Sequence, residues 1–248
     1  MLKYASALFA FAAALTGVVG DTHNSTRPGI AGITRLGWIA IVVAALSFAV
    51  LLVETYRDHA KINWQAAQKA KVRVIANQQV VEAIMYFLTP FRLLLTDIWQ
   101  KRRGLEIDLE QLDKSPTYIL ELLSNPSIRV DFESIDLRGK PNVFPSIHWY
   151  DYLAAHASGA RELLNEAAAK YSGYLDPDAL AAIEEVRADE LVCFRLPYLG
   201  QLEATNRQIV PLPLTAAFGI REGGESLDVM IRTLRKVLHH VGNEERTA

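Results

Sequence analysis

Val81 to Ile98 read VEAIMYFLTPFRLLLTDI, a stretch whose apolar residues recur as they do on one side of a packed helix. Spacings of three and four alternate along one row of these residues, which consists of Val81, Ile84, Leu88, Phe91, Leu95 and Ile98. Such a row lies on one face of an α-helix, as in a coiled coil. The pattern predicts one long helix over about 57–102. Pro90 lacks a main-chain donor, which predicts a kink or a break one turn earlier.

Further along the chain, three more helices are predicted from the same spacing. They cover about 146–172, 177–192 and 226–242, and the inner face of the second includes Ile183 and Phe194. The inward residues of the last helix are Leu227, Met230, Ile231, Leu234, Val237, Leu238 and Val241. Helices of this kind suggest an antiparallel bundle.

Residues 105–142 form a mixed region. Leu105–Leu109 and Ile128–Phe132 alternate apolar and polar residues as short strands do. Between them Ser115 and Pro116 open a short helix to about Ser124, with serine as the cap and proline in the first position. The two short segments either pair as a small β appendage or are irregular.

Two apolar segments, residues 4–20 and 36–53, contain no charged residue. A helix needs about 20 apolar residues to cross a hydrocarbon core of about 30 Å, so each segment predicts a transmembrane helix. A buried helix is the alternative for either segment. A cleaved secretory signal peptide is a second alternative for residues 1–20, although Val18-Val19-Gly20 fits the small-x-small cleavage pattern poorly.

Small residues recur in both predicted spans at intervals that let helices approach closely inside lipid. The residues predicted to pack in this way are Ala10, Ala14, Gly17, Ala40 and Ala44. Composition alone also produces such spacing in alanine-rich helices.

Basic residues around the two spans predict their orientation. The connector 21–35 carries two of them, whereas the twenty residues after Val53 carry Arg57, Lys61, Lys69, Lys71 and Arg73. Basic residues favour the cytoplasmic side, so both termini are predicted to lie in the cytoplasm. The predicted localisation is the bacterial inner membrane, with several crossings and the lipid bilayer as one partner.

The run from Thr16 to Thr22, followed by Ile33 to Ala40 (ITRLGWIA), resembles a two-helix membrane hairpin found at the start of many uncharacterised bacterial proteins. The resemblance covers about residues 1–55 and implies a modular anchor, without an activity for the remainder. The predicted fold class is therefore an all-α membrane protein. It consists of a transmembrane hairpin over 1–55 and a cytoplasmic, mainly helical bundle domain over 56–248.

The charge balance argues against nucleic acid as a main partner. Residues 1–53 carry a formal charge of +2, from Lys3, Arg27 and Arg35 against Asp21, so a chain of net charge −2 leaves −4 to residues 54–248. Neutralising phosphates needs a basic face. Cys193 is the only cysteine in the chain, which excludes an intramolecular disulfide and a zinc site built on several thiolates.

No catalytic residue, cofactor site or metal site is assigned from the sequence. His239, His240 and Glu244 come nearest to a metal set, but neighbouring helical residues point about 100° apart. These histidines are expected to lie at a solvated helix end. His156 falls on an apolar row, which predicts a core histidine or a helix–helix hydrogen bond.

Three further groups of residues are of types that take part in catalysis or phosphate binding. His148, Asp151 and Tyr152 lie near a helix start without a recognisable nucleophile, so capping and packing roles are predicted. The loop 219–224 precedes a helix but lacks the strand and the lysine of a phosphate loop. Cys193 is expected to be a small buried apolar residue.

These patterns predict a membrane-anchored, non-enzymatic helical module that binds another protein or itself. One alternative is a membrane-perturbing effector, toxin-like or acting in phage defence, that is triggered through its soluble domain. An enzyme acting at the membrane surface is a third hypothesis.

Overall fold

The computed structural model describes residues 30, 34–102, 106–205, 212–215 and 225–242, and these residues are mainly helical. The elements are α1 (Arg35–Lys101), α2 (Leu109–Lys114), α3 (Pro116–Ser124), α4 (Pro126–Glu133), α5 (Trp149–Tyr171), α6 (Pro177–Ala188), a π-helical turn (Leu191–Arg195), α7 (Leu199–Thr205) and α8 (Glu225–Gly242). The all-α part of the predicted fold class is confirmed for this part of the chain.

The chain divides into two compact units, Met1–Lys69 and Ala70–Ala248. The sequence predicts a boundary near residue 55 instead. Helix α1 crosses the division without interruption and is 67 residues long. It continues because residues 38–89 contain neither glycine nor proline and many alanines, the strongest helix former.

In the second unit, α1 buries two adjacent rows of side chains. Most of the predicted row is buried, namely Ile84, Leu88, Phe91, Leu95 and Ile98, and Val81 is partly buried. The second row comprises Ala76, Val80, Ala83, Phe87 and Leu94. A helix buried over two rows needs neighbours on more than one side, so α1 lies in the middle of the core.

Helix α1 continues through Pro90, so the predicted break is wrong. Interior proline costs about 3 kcal/mol or more. The buried rings of Phe87 and Phe91 flank it, and burying each contributes about 1.5–3 kcal/mol. The Thr89 hydroxyl also donates a hydrogen bond of 2.9 Å to the Met85 carbonyl in this turn. Packing therefore outweighs the missing main-chain bond.

The predicted strand Ile128–Phe132 is wrong, because these residues lie in α4. Asn125 caps the helix by accepting from the Ser127 N–H at 3.0 Å. Ile128 and Phe132, one turn apart, are 1 % and 0 % exposed, whereas Val130 is 69 % exposed. Over five residues, strand alternation and one helical turn share their first and last apolar positions, so the short pattern does not separate them.

The predicted strand Leu105–Leu109 is also wrong where the structure describes it. Leu109 begins α2, and Asp108 caps this helix by accepting from the N–H groups of Glu110 and Gln111 at 3.0 and 3.1 Å. Strand-like pairing among the described residues consists of one bridge between Asp136 and Pro213. The predicted β appendage is therefore wrong as well.

The predicted short helix after Ser115 is confirmed as α3, and Ser115 Oγ accepts from the Tyr118 N–H at 3.2 Å. Helices α5 and α8 agree with the predicted ranges 146–172 and 226–242 to within three residues. The predicted inward residues of α8 are buried, apart from Leu238, which is partly buried.

Helix α6 is shorter than predicted, because it ends at Ala188. The carboxylate of buried Asp189 accepts from the Val192 N–H at 3.0 Å, and the chain then forms the π-helical turn. This change of helix type moves Phe194 off the inner face. Phe194 is 63 % exposed, so its predicted inward position is wrong.

Within the described ranges, no helix combines the length and the apolar character that a membrane crossing needs. The predicted localisation, a multi-pass protein of the bacterial inner membrane, is therefore wrong. Residues 36–53 do not form a separate apolar helix; they begin α1, which continues through the charged residues Glu54, Arg57 and Asp58.

The other predicted span, residues 4–20, lies outside the described residues, together with the packing positions Ala10, Ala14 and Gly17. Ala40 and Ala44 lie within α1, but their side chains are outside the described part. The packing role of these alanines stays a prediction.

Replacing Ile128 and Val130 one at a time tests the helical assignment of α4. Ile128→Ala should lower the free energy of unfolding by about 2–4 kcal/mol, because it leaves a cavity in the core. Val130→Ala should change it by less than about 0.5 kcal/mol. Urea unfolding measures both values. Similar losses at the two positions would support a strand, in which both side chains lie on one face.

Candidate functional site

A cleft of about 720 Å³ lies in the second unit, between the C-terminal part of α1 and the loop 134–148. Its apolar lining consists of Leu94, Ile98, Ile135 and Trp149, and its polar lining includes Asp97, Lys101, Arg102, Asp131, Asp136, Lys140 and Asn142. The loop has neither helix nor strand over 15 residues. Ordered loops of this length are uncommon and are often functional.

Main-chain hydrogen bonds hold the first half of this loop in place. The Leu137 N–H donates to the Leu212 carbonyl, and the Leu214 N–H donates to the Ile135 carbonyl, both at 2.8 Å. Asp136 Oδ1 accepts from the N–H groups of Arg138 and Leu212 at 3.1 and 3.0 Å. The loop therefore presents its side chains to the cleft in a defined position.

Gly139 closes the loop onto the start of α5. Its carbonyl accepts from the Trp149 N–H at 3.0 Å, and its N–H donates to the Asp136 carbonyl at 2.9 Å. A Cβ atom at this position would lie 2.9 Å from the Asp136 carbonyl oxygen. Only glycine fits this tight turn, which brings Lys140 and Asn142 to the cleft.

Asp97 on α1 and Asn142 on the loop meet in the cleft. The Asn142 side-chain amide donates a hydrogen bond of 3.0 Å to Asp97 Oδ1. Burial raises the pKa of the Asp97 carboxyl above its ordinary value of 3.8, and the Lys101 charge and the Asn142 hydrogen bond oppose this rise.

Two residues of α4 bind the Arg102 side chain. Its guanidinium pairs with the Asp131 carboxylate at 2.6 Å and donates to the Ser127 carbonyl at 2.7 Å. Two acceptors therefore hold the Arg102 side chain at the edge of the cleft.

His156 lies between α1 and α5, away from the cleft lining. Its Nδ1–H donates to the Tyr152 carbonyl at 2.9 Å, and its ring centroid lies 4.6 Å from that of Tyr86. His156 is partly buried and packs against Tyr86, which agrees with the predicted core role. Its hydrogen bond joins two residues of α5 and not two different helices. Burial lowers the pKa of His156 below its ordinary value of 6.5.

Gly159 allows this contact between the two helices. A Cβ atom there would lie 2.8 Å from the Tyr86 ring. The glycine therefore makes room for the ring of Tyr86 beside His156.

His148 precedes α5 and holds the loop rather than forming a reactive group with its neighbours. Its Nδ1–H donates to the Arg138 carbonyl at 2.6 Å, and its ring stacks on that of Tyr150 with centroids 5.2 Å apart. The His148 side chain makes no capping hydrogen bond, so the capping prediction is wrong for this residue. The Tyr152 ring packs against Phe144, with centroids 5.6 Å apart.

Cys193 lies partly buried in the π-helical turn. Its thiol donates to the Arg187 carbonyl at 2.6 Å, and burial raises the pKa of the thiol. A raised pKa disfavours the reactive thiolate. The predicted packing role therefore fits the environment of Cys193.

His239 and His240 end α8 with ring centroids 5.6 Å apart. Glu244 and the loop 219–224 lie outside the described residues. No group of three or more His, Cys, Asp and Glu residues in the described part is arranged to hold a metal ion.

The second feature of interest is the part of α1 that belongs to the first unit. Twelve large apolar side chains there are 42–76 % exposed. We call residues 38–64 of α1 the apolar segment; its exposed members are Trp38, Ile39, Val42, Leu46, Phe48, Val50, Leu51, Leu52, Val53, Tyr56, Ile62 and Trp64.

The patterns in the sequence do not identify the residues that line the cleft. Asp97 and Lys101 are one helical turn apart at the end of the buried row, which is a weak signal in the sequence. Their partners on the loop lie about 40 residues further along the chain, and spacing alone does not bring them together.

No protein-family model, no curated protein and no solved structure matches the chain.

Replacing Asn142 should raise the pKa of Asp97 further, because Asn142→Ala removes a donor that stabilises the carboxylate while burial remains. Carbon NMR titration of the Asp97 carboxyl measures this pKa. The folded chain already holds this proton more tightly than the unfolded chain, so folding stability falls as pH rises from about 4 through the raised pKa. In the Asn142→Ala variant, folding stability should continue to fall up to a higher pH than in the wild type. Ser134→Ala is the control, and an equal rise there contradicts the assigned role of Asn142.

His156 should make folding less stable in mild acid. The unfolded histidine takes up a proton near its ordinary pKa of 6.5, whereas the folded one does so only at lower pH. Stability is therefore lost as pH falls from about 7.5 to about 5, and His156→Gln should reduce this loss. Urea unfolding at both pH values measures it, and an unchanged difference between them contradicts the role of His156.

Proposed function

We propose that this chain is a non-enzymatic helical interaction module whose apolar segment binds a second copy of the chain or another protein. The observation that carries the proposal is the exposure of twelve large apolar side chains on one stretch of α1. Apolar surface exposed on this scale marks an interaction site.

The size of the exposed surface supports an interface. Aromatic side chains have about 150–250 Å² each, so half-exposed large residues sum to roughly 1,000 Å² over the apolar segment. A standard protein–protein interface buries about 800 Å² per partner, and the largest patch on a typical monomer is about 300–600 Å². The apolar segment is therefore large enough for a stable complex.

The charge pattern along α1 also fits an interface. Residues 36–53 carry no charge, whereas Glu54, Arg57, Asp58 and Lys61 follow them. Protein interfaces have an apolar centre depleted of charge and a polar rim. The partner surface should accordingly be apolar opposite residues 36–53 and polar beyond them.

Binding is supported better than catalysis by the chemistry of the side chains. The partly buried thiol of Cys193 has a raised pKa, and His156 uses its Nδ1–H within α5. The raised pKa disfavours the thiolate that a nucleophilic cysteine needs, and His156 packs between the rings of Tyr86 and Tyr152.

Charged substitutions in the apolar segment should prevent association. The purified full-length chain is expected to form an oligomer or a defined complex, measured by size-exclusion chromatography with light scattering and by crosslinking in cells. Leu46→Lys combined with Val50→Lys should shift it to the monomer, because both positions lie in the uncharged stretch 36–53 and each lysine would have to be buried without a partner charge.

Val130→Lys is the matched control, since Val130 is 69 % exposed and lies on α4 in the second unit. It should leave the association unchanged. A wild-type chain that stays monomeric and yields no crosslinked partner in cells would remove the basis of the proposal.

A further inference from the structure

Helix α1 carries a row of uncharged residues with the period of a coiled coil. Spacings of three and four alternate along this row, which we call the exposed row; it comprises positions 39, 42, 46, 49, 53, 56, 60, 63 and 67. All of these residues are exposed and belong to the first unit. The same spacing leads on to Ile84 and Leu88, which are buried in the second unit. The exposed row spans four heptads, a length over which a seven-residue period is typical of pairing with a second helix.

Charged residues in this part of α1 avoid the exposed row. Residues 54–69 include Glu54, Arg57, Asp58, Lys61 and Lys69, and none of these belongs to the row. Over the same stretch the row contains only tyrosine, alanine and asparagine. A fully solvated helix is polar on every face, whereas the seam of a coiled coil excludes charge. The charge pattern therefore indicates that the exposed row faces another helix.

Asn63 favours a second copy of this segment as that helix. A side-chain amide that becomes buried needs hydrogen-bond partners. In a parallel pair in register, Asn63 would meet the partner's Asn63, and each amide has both a donor and an acceptor to offer. An antiparallel pair would instead place Asn63 opposite one of positions 39, 46, 53, 60 and 67, which are all apolar. Only the parallel pair satisfies the amide, and a single buried asparagine is known to fix the register of a coiled coil.

The residues beside the exposed row fit the same parallel pair. A residue on one flank of a parallel coiled coil faces the residue five positions further along on the other helix. Arg57 would therefore face the partner's Leu52, and Trp64 would face the partner's His59. Neither contact opposes two like charges, so the flanks do not repel a second copy.

The area of this face is sufficient for a stable dimer. Nine of the twelve exposed members of the apolar segment lie on the row or on its flanks, namely Trp38, Ile39, Val42, Leu46, Val50, Leu52, Val53, Tyr56 and Trp64. They account for about three quarters of the exposed apolar area, or roughly 750 Å² per copy. A standard interface buries about 800 Å² per partner.

We propose that residues 39–67 of two copies of this chain form a parallel, two-stranded coiled coil in which Asn63 faces the partner's Asn63. This inference rests on the proposed interaction function and names its partner, the orientation of the two helices and their register.

A charge exchange at Asn63 tests the contact between the two copies. Asn63→Asp brings two carboxylates together and Asn63→Lys brings two ammonium groups together, so each variant alone should dimerise at least about tenfold more weakly than the wild type. An equal mixture of the two variants should restore the dimer, because opposite charges then meet. Analytical ultracentrifugation of the full-length chains measures the dissociation constants. Gln65→Asp and Gln65→Lys make the same changes off the row and should leave dimerisation unchanged.

Disulfide formation tests the orientation and the register. Ala60→Cys is introduced into the full-length chain with Cys193→Ser, so that it provides the only thiol. In the parallel pair, residue 60 of the two copies lies close enough for a disulfide, which requires Cα atoms within about 7 Å. Mild oxidation should therefore link the two copies. Gln65→Cys in the same background points away from the partner and should not do so.

The outcomes separate this inference from the proposed function. A wild-type chain that dimerises, while the mixed Asn63 variants do not recover and Ala60→Cys does not crosslink, overturns the coiled coil and leaves self-association standing. A chain that is monomeric when pure but crosslinks to a different protein in cells also overturns it, and that protein is then the partner. A monomer without any crosslinked partner removes both proposals.

Discussion

The second unit depends on the burial of two adjacent rows of α1. One buried row would need only one neighbouring helix, whereas two rows require neighbours on more than one side. Rings supply part of this packing: Phe91 of α1 stacks on Phe132 of α4 with centroids 5.8 Å apart, and Tyr86 stacks on His156 of α5. Buried Asn77 makes a directional contact with α8, because its amide donates a hydrogen bond to the Val241 carbonyl at 3.2 Å. An unpaired amide in this position would be costly, so the bond favours one placement of the end of α8 along α1.

The cleft forms where the buried rows of α1 come to an end. Ile98 is the last buried residue of the first row, and Asp97, Lys101 and Arg102 bring charge to the same end of the helix. Charged side chains are not covered as closely as apolar ones, because their hydration would be lost. The loop 134–148 therefore approaches this end of α1 with polar contacts, and space remains between them. The position of the cleft follows from the length of the apolar pattern.

The sequence predicts the long helices better than the short ones, for a physical reason. The rows in α1 and α8 extend over several turns, so only a helix places all their residues on one side. A pattern of only five residues, such as Ile128–Phe132, fits both a helix and a strand. The local signal was nevertheless present: Asn125-Pro126 has the same cap-and-proline pattern as Ser115-Pro116 and Asp176-Pro177, and each pair opens a helix. The contact between Asp97 and Asn142 has no such signal, because it forms only through the fold.

The two parts of α1 show why apolar composition does not by itself decide burial. Ile84 is 1 % exposed and Ile39 is 63 % exposed, although both lie in one continuous helix. In the second unit, α4, α5 and α8 supply the surfaces that cover the helix. The described residues of the first unit supply no such cover for the apolar segment. At about 25 cal/mol per Å² of apolar surface, covering this area is favourable, which is the physical ground for the interaction proposed above. The cleft at the end of α1 has the opposite character, since charged and polar side chains make up most of its lining.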